Sequence, residues 1–112
     1  MSTGKIYNIM DRLTNNKPVI KIDETHEYTV NNSKNQAIFI MELAKDEKLN
    51  DIEKMDKILE AGLGEDALGY INSLDLSLKA TGVIINAIMA AIGEIDIEEI
   101  EEESNQKGFR KR

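Results

Sequence analysis

Side chains able to do proton or nucleophile chemistry are sparse in this 112-residue chain. His26 is the single histidine, and it sits in a polar link, Asp23-Glu24-Thr25-His26, between two short apolar segments. A lone histidine in a turn is ordinarily a solvated side chain, and no Ser–His–Asp arrangement can be argued around it. One histidine and no cysteine leave no zinc ligand set. Asp46, Glu47, Asp51 and Glu53 lack the Asp/Asn–Gly spacing of a calcium loop, and the glycines match neither a P-loop nor a dinucleotide fingerprint. The acidic run at 98–103 can attract cations diffusely, but such a run is first of all solvated surface. No catalytic residue, cofactor or metal site is assigned, and the chain reads as a non-enzyme.

Ser73 is the one hydroxyl in a suggestive setting. Residues 64–76, GEDALGYINSLDL, faintly look like the surroundings of the modified serine in acyl carrier proteins, which carry Asp-Ser-Leu at a helix start. Here the triplet is Asn72-Ser73-Leu74, without the aspartate. The extended segments near 19–30 also have no place in that four-helix fold. Ser73 as a phosphopantetheine site would be revealed by a mass shift.

The elements that could position any site are dominated by one apolar stretch, residues 75–93, DLSLKATGVIINAIMAAIG, in which only Asn86 is polar between Val83 and Ile92. It is shorter than the roughly 20 apolar residues a bilayer span needs. Asp75 or Ser77 can cap it and Gly93 can end it, so a helix is predicted over about 76–92. Leu78, Ile85, Ile88, Met89 and Ile92 share one face, and Ile84, Ala87 and Ala91 the next. Such a wide apolar surface belongs to a central core helix, or to one that is also an interface. Val83, Ile84, Ile88 and Ile92 are the candidate partner-binding or self-association residues.

Composition bounds the rest. One domain is the default at this length. With no Trp and 4% aromatics the core must be aliphatic. Absence of cysteine excludes disulfides and thiol catalysis and suits a reducing cytoplasm. No signal peptide is expected, since residues 1–5 lead straight into an amphipathic segment. A net charge of −7 disfavours nucleic acid as a partner. Seven acidic side chains fall within 94–103, followed by four basic ones within 105–112, whereas 1–93 holds 14 acidic and 10 basic. The expected organisation is a single domain over 1–96 and a tail, acidic then basic, over 97–112.

Along the chain, Ile6, Ile9, Met10 and Leu13 predict a short helix over 5–13, with Thr3 as its cap and Asn15, Asn16 and Pro18 as its stop. Residues 19–22 and 27–30 predict a β-hairpin, with Ile20 and Ile22 on one face and Tyr28 and Val30 together on its partner strand. A lone hairpin is marginal in water, so it must pack on helices or pair with another chain. Helices follow over about 34–48, 51–63 and 65–74. The first presents Ala37, Ile38 and Met41, widened by Phe39, Ile40 and Leu43. The second presents Ile52, Met55, Ile58 and Leu59, with a Glu53–Lys57 ion pair expected and Gly62 and Gly64 at its end. The third presents Ala67, Leu68, Ile71 and Leu74. The fold class is therefore α+β, mainly α: a small bundle of about five helices with an N-terminal hairpin.

This organisation resembles the tail assembly chaperones of long-tailed bacteriophages and prophages of Gram-positive type. The likeness is carried by PVIKIDETHEYTV, by KMDKILEAGLGEDALGYINSLDLS, by KATGVIINAIMAAIGEI and by the ending EIDIEEIEEE, over roughly residues 17–103. None of these is a catalytic signature. The resemblance implies an assembly factor of the host cytoplasm, absent from the mature virion, that binds the long helical tape measure protein and keeps it soluble. It also implies a homo-oligomer, and in many members a second form extended by ribosomal frameshifting. The alternatives are a small tail or head-completion subunit that forms homo-oligomeric rings and stays in the particle, or a small acidic regulator. The second fits less well, because a third of the acidic residues lie in one terminal run.

Overall fold

The computed structural model describes residues 4–13 and 16–93. The expected tail at 97–112 and the expected cap Thr3 lie outside the described residues. The fold is α+β and mainly helical. A β-hairpin of β1 (Val19–Asp23) and β2 (His26–Thr29) is followed by α1 (Lys34–Lys45), α2 (Asp51–Leu63), α3 (Glu65–Ser73) and α4 (Leu78–Gly93).

Four helices are present among the described residues where about five were expected. Residues 5–13 form only a 3-10 turn at Met10–Arg12. The Asn8 side chain accepts the Met10 backbone N–H at 3.1 Å, capturing a donor within the expected helix. A helix this short is also unstable unless its apolar face packs on something, and Ile6, Ile9, Met10 and Leu13 are all exposed.

The starts of α1, α2 and α4 follow from side-chain caps. Ser33 caps α1, and Ser77 rather than Asp75 caps α4, accepting the Ala80 N–H at 3.1 Å. Asn50 makes a full capping box with Glu53. That box engages the Glu53 carboxylate with the Asn50 N–H at 3.3 Å, in place of the ion pair expected with Lys57. The chain leaves α1 three residues earlier than predicted, at Asp46, whose carboxylate takes the Lys48 N–H. Gly64 ends α2 and begins α3 at φ +101° and ψ 168°, a conformation essentially confined to glycine. Asp75 turns the chain into α4 at φ 51°, a left-handed conformation that aspartate tolerates.

Helix α2 is central, with α1, α3 and α4 all packed on it. The core joins Ile40 and Leu43 of α1, Ile58 and Leu59 of α2, Ile71 of α3, and Ile84 and Ile88 of α4. Several expected inward positions turn outward: Ile38, Met41, Ile52, Leu74 and Leu78 are exposed. On α1 the inward stripe is Ile40, Leu43 and Ala44, because apolar residues surround that helix and packing selects among them. Gly62 is the next-to-last residue of α2. Its missing side chain lets Ile88 approach so closely that a Cβ there would stand 2.9 Å from Ile88 Cγ2.

The hairpin rests on this core through Ile20 and Ile22, with Val30 fully buried behind it. Its register runs Val19↔Thr29, Ile20↔Tyr28, Lys21↔Glu27, then shifts to Asp23↔His26. The shift is a bulge at Ile22. Strict alternation would turn Asp23 away from the face shared by Ile20 and Ile22. The bulge brings Asp23 round toward the helices.

Candidate partner-binding groove

Beside the hairpin lies an open groove of about 550 Å³. One wall is Ile20 and Ile22 of β1, and the opposite wall is Val83 and Ala87 of α4. Leu74 and Leu76, on either side of the left-handed Asp75, also line it. Ile84 contributes its edge. Lys21 and Asp23 are the charged residues of the lining. The rest of the lining is apolar.

The four sequence-predicted residues divide between interior and surface. Val83 is 44% exposed and forms groove wall, while Ile84 is buried except for the edge it shows there. Ile88 is fully buried against Gly62. Ile92 is partly buried on the core cluster and does not line the groove. The structure thus brings Val83 and Ile84 together with β1, and leaves Ile88 and Ile92 to the core. As groove residues Leu74 and Leu76 are missed by the sequence reading: Leu74 reads as an inward position of the third helix, and Leu76 as the start of the fourth. The available signal was two leucines straddling a turn, where polar residues are the norm.

A polar cluster fastens the hairpin tip at the groove's Asp23 margin. The Tyr70 hydroxyl of α3 donates to Asp23 Oδ2. Asp23 Oδ1 lies 3.0 Å from His26 Nδ1 and accepts the Thr25 hydroxyl and backbone N–H at 3.1 and 3.0 Å. The His26 and Tyr70 rings stack with centroids 3.6 Å apart and planes 9° apart. The Tyr70 hydroxyl, then His26 and Thr25, hold the Asp23 carboxyl well below the usual carboxylate range. The same bond to Asp23 pushes the Tyr70 phenol up from 10.0. His26 is therefore the first residue of β2 with an aromatic and a carboxylate partner, rather than a free turn side chain.

No family model, no curated protein and no solved structure matches this chain.

The other candidates for chemistry are accounted for locally. Ser73 ends α3, where an acyl carrier serine would begin a helix, and its hydroxyl donates to the Tyr70 carbonyl at 2.6 Å. Among the described residues no three His, Asp or Glu side chains gather in a way that could hold a metal ion. No described helix is long and apolar enough to cross a membrane.

Proposed function

We propose that the protein is a non-enzymatic assembly chaperone of the long-tailed phage type. In this reading it holds apolar helical segments of a tape measure protein in the host cytoplasm and is left out of the finished virion. The observation that carries the reading is the groove between β1 and α4. It is apolar and open, which suits the i, i+3, i+4 face of an amphipathic helix. Exposed Ile38, Phe39 and Met41 on α1 add adaptable apolar surface, and the acidic run within 94–103 supplies charge that keeps a coated complex soluble.

Co-expression with the tape measure protein tests this. The long partner is expected to become soluble and to co-purify with many copies of this chain. Val83→Asp, at an exposed position, is expected to abolish that while leaving the chain folded. A partner that stays insoluble with the wild-type chain, or one rescued equally well by Val83→Asp, overturns the reading.

A further inference from the structure

The apolar part of the β1–α4 groove is aliphatic throughout. Ala80, Val83, Ile84 and Ala87 stand at i, i+3, i+4 and i+7, so they share one face of α4. The two alanines leave space on either side of Val83 that longer side chains would fill. No aromatic ring is among the described residues of the lining. The volume of about 550 Å³ lies within the roughly 300–1,000 Å³ of small-ligand sites.

The two charged residues of the lining are not equivalent. A carboxylate offers about four lone pairs, and Asp23 has donors for all of them: the Tyr70 hydroxyl, the Thr25 hydroxyl, the Thr25 N–H and His26 Nδ1. His26 Nδ1 carries its proton there, because a carboxylate only accepts. The Lys21 ammonium is far less committed. Its partner among the described residues is Glu24 at 3.3 Å, and the two side chains are 58% and 92% exposed. An ion pair this exposed contributes little, so another carboxylate can take the place of Glu24. The groove therefore offers aliphatic walls and one available ammonium. The chain's net charge of −7 works against anions at long range, so any preference for one has to come from Lys21.

We propose that the groove binds a single-chain amphiphile with an anionic head, a fatty carboxylate, with its alkyl chain against Ile20, Ile22 and Val83 and its carboxylate on Lys21. An alkyl chain suits this surface because it is flexible and brings no polar backbone that must stay solvated. A small molecule binds there whether or not the chain is a chaperone.

The test is methyl NMR of the full chain, titrated with octanoate, decanoate and dodecanoate below their micelle concentrations. Octan-1-ol and octyltrimethylammonium are the neutral and cationic controls. Saturable shifts are expected at Ile20, Ile22 and Val83, with the exposed Ile38 and Ile52 on other faces unmoved. Affinity is expected to rise about two- to fourfold per added methylene, the upper figure being full burial. Octanoate is expected to bind about threefold tighter than octan-1-ol, the worth of one exposed ion pair, and tighter still than the cation. Lys21→Gln is expected to erase the preference for octanoate over octan-1-ol and leave the affinity for octan-1-ol unchanged, a split that a merely structural role would not produce. Val83→Asp is expected to lose all three ligands while keeping its thermal transition. Shifts that do not saturate, or that are as large at Ile38 and Ile52, overturn the proposal. So does an alcohol or cation that binds as tightly as the carboxylate, or a Lys21→Gln chain that keeps the preference. A groove that ignores every amphiphile yet still captures the tape measure protein overturns this proposal alone, and failed capture with amphiphile binding intact overturns only the chaperone reading.

Discussion

Gly62 and Tyr70 each join two parts of the molecule, and they do so by opposite chemistry. At the seam between α2 and α4, Gly62 offers no side chain and Ile88 fills the space, so the contact is dry, close and without charge. At the hairpin tip, Tyr70 reaches Asp23 with a hydroxyl, and His26 stacks on its ring in a half-exposed setting. The seam depends on shape and is indifferent to protons. The latch depends on two titratable groups. One wall of the groove, α4, is therefore anchored by packing at the centre of the core, whereas the facing wall, β1, is held at its Asp23 end by a bond that pH can remove. The two walls differ in how easily they can shift apart.

The largest effect is expected at the seam. Ile88→Asp places an unpaired charge in a fully buried apolar site, at a cost above about 4 kcal/mol, which exceeds what a domain of this size can absorb. Thermal denaturation followed by circular dichroism is expected to show no cooperative transition. A cooperative melt near the wild-type midpoint would mean that Ile88 is not a core residue and that the seam is no different in kind from the latch.

A subtler change at the same place has a sign that depends on its neighbour. Gly62→Ala adds helix propensity of roughly 1 kcal/mol. The new Cβ meets Ile88 Cγ2 at 2.9 Å and Cδ1 at 3.3 Å, and a β-branched side chain has little rotamer freedom with which to retreat. Overpacking of this kind costs about 1–3 kcal/mol, so the net effect is a destabilisation of about 1 kcal/mol. In an Ile88→Ala background those atoms are gone, and the same Gly62→Ala change is expected to stabilise by roughly 1 kcal/mol. Urea midpoints of the four proteins in this cycle measure it. The same sign in both backgrounds would show that close approach is not what Gly62 provides.

The contrast between seam and latch also explains what could be read in advance. The mainly helical bundle, the hairpin, and the burial of Ile58, Leu59, Ile71 and Ile88 follow from spacing and caps, which are local properties. Asn50 with Glu53 is a capping box visible in four letters. The face of α1 was not legible, because apolar residues at 37–41 and 43–44 surround the helix, and only its neighbours decide that Ile40 goes in and Ile38 out. Residues 5–13 have a helical pattern but lack the tertiary surface that would enforce it. The groove was half legible: Val83 and Ile84 came from the apolar helix, whereas Ile20 and Ile22 had been assigned only to a hairpin face. The latch was not legible at all. Tyr70 and Asp23 lie 47 positions apart, and a bulge that no residue pattern announces turns the aspartate toward the tyrosine.

The smallest effect is expected at the latch, and its shape with pH distinguishes it from the seam. Asp23 has its pKa lowered from 3.8 in the folded chain, so its contribution is fully present above the ordinary carboxylate range and is lost as pH falls below about 4. Tyr70 has its pKa raised from 10.0, so the contribution of the neutral phenol is present below pH 10 and is lost as pH rises through its folded value. Tyr70→Phe removes the first cause of the Asp23 shift and the whole of the Tyr70 shift, while an aromatic ring remains for His26 to stack on. The stability difference between wild type and Tyr70→Phe, from urea unfolding at a series of pH values, is therefore expected to form a plateau between about pH 4 and pH 10 and to shrink on both sides. On the acid side the variant keeps part of the slope, because His26 and Thr25 still bond to Asp23. A difference that stays constant from pH 3 to pH 11 would mean that the Tyr70 hydroxyl acts by packing alone, and that seam and latch are chemically alike after all. If the plateau is found, partner capture assayed at pH 7 with Tyr70→Phe shows whether the groove needs β1 held in place. Weaker capture with an unchanged fold would assign the latch to the groove, and unchanged capture would assign it to the hairpin alone.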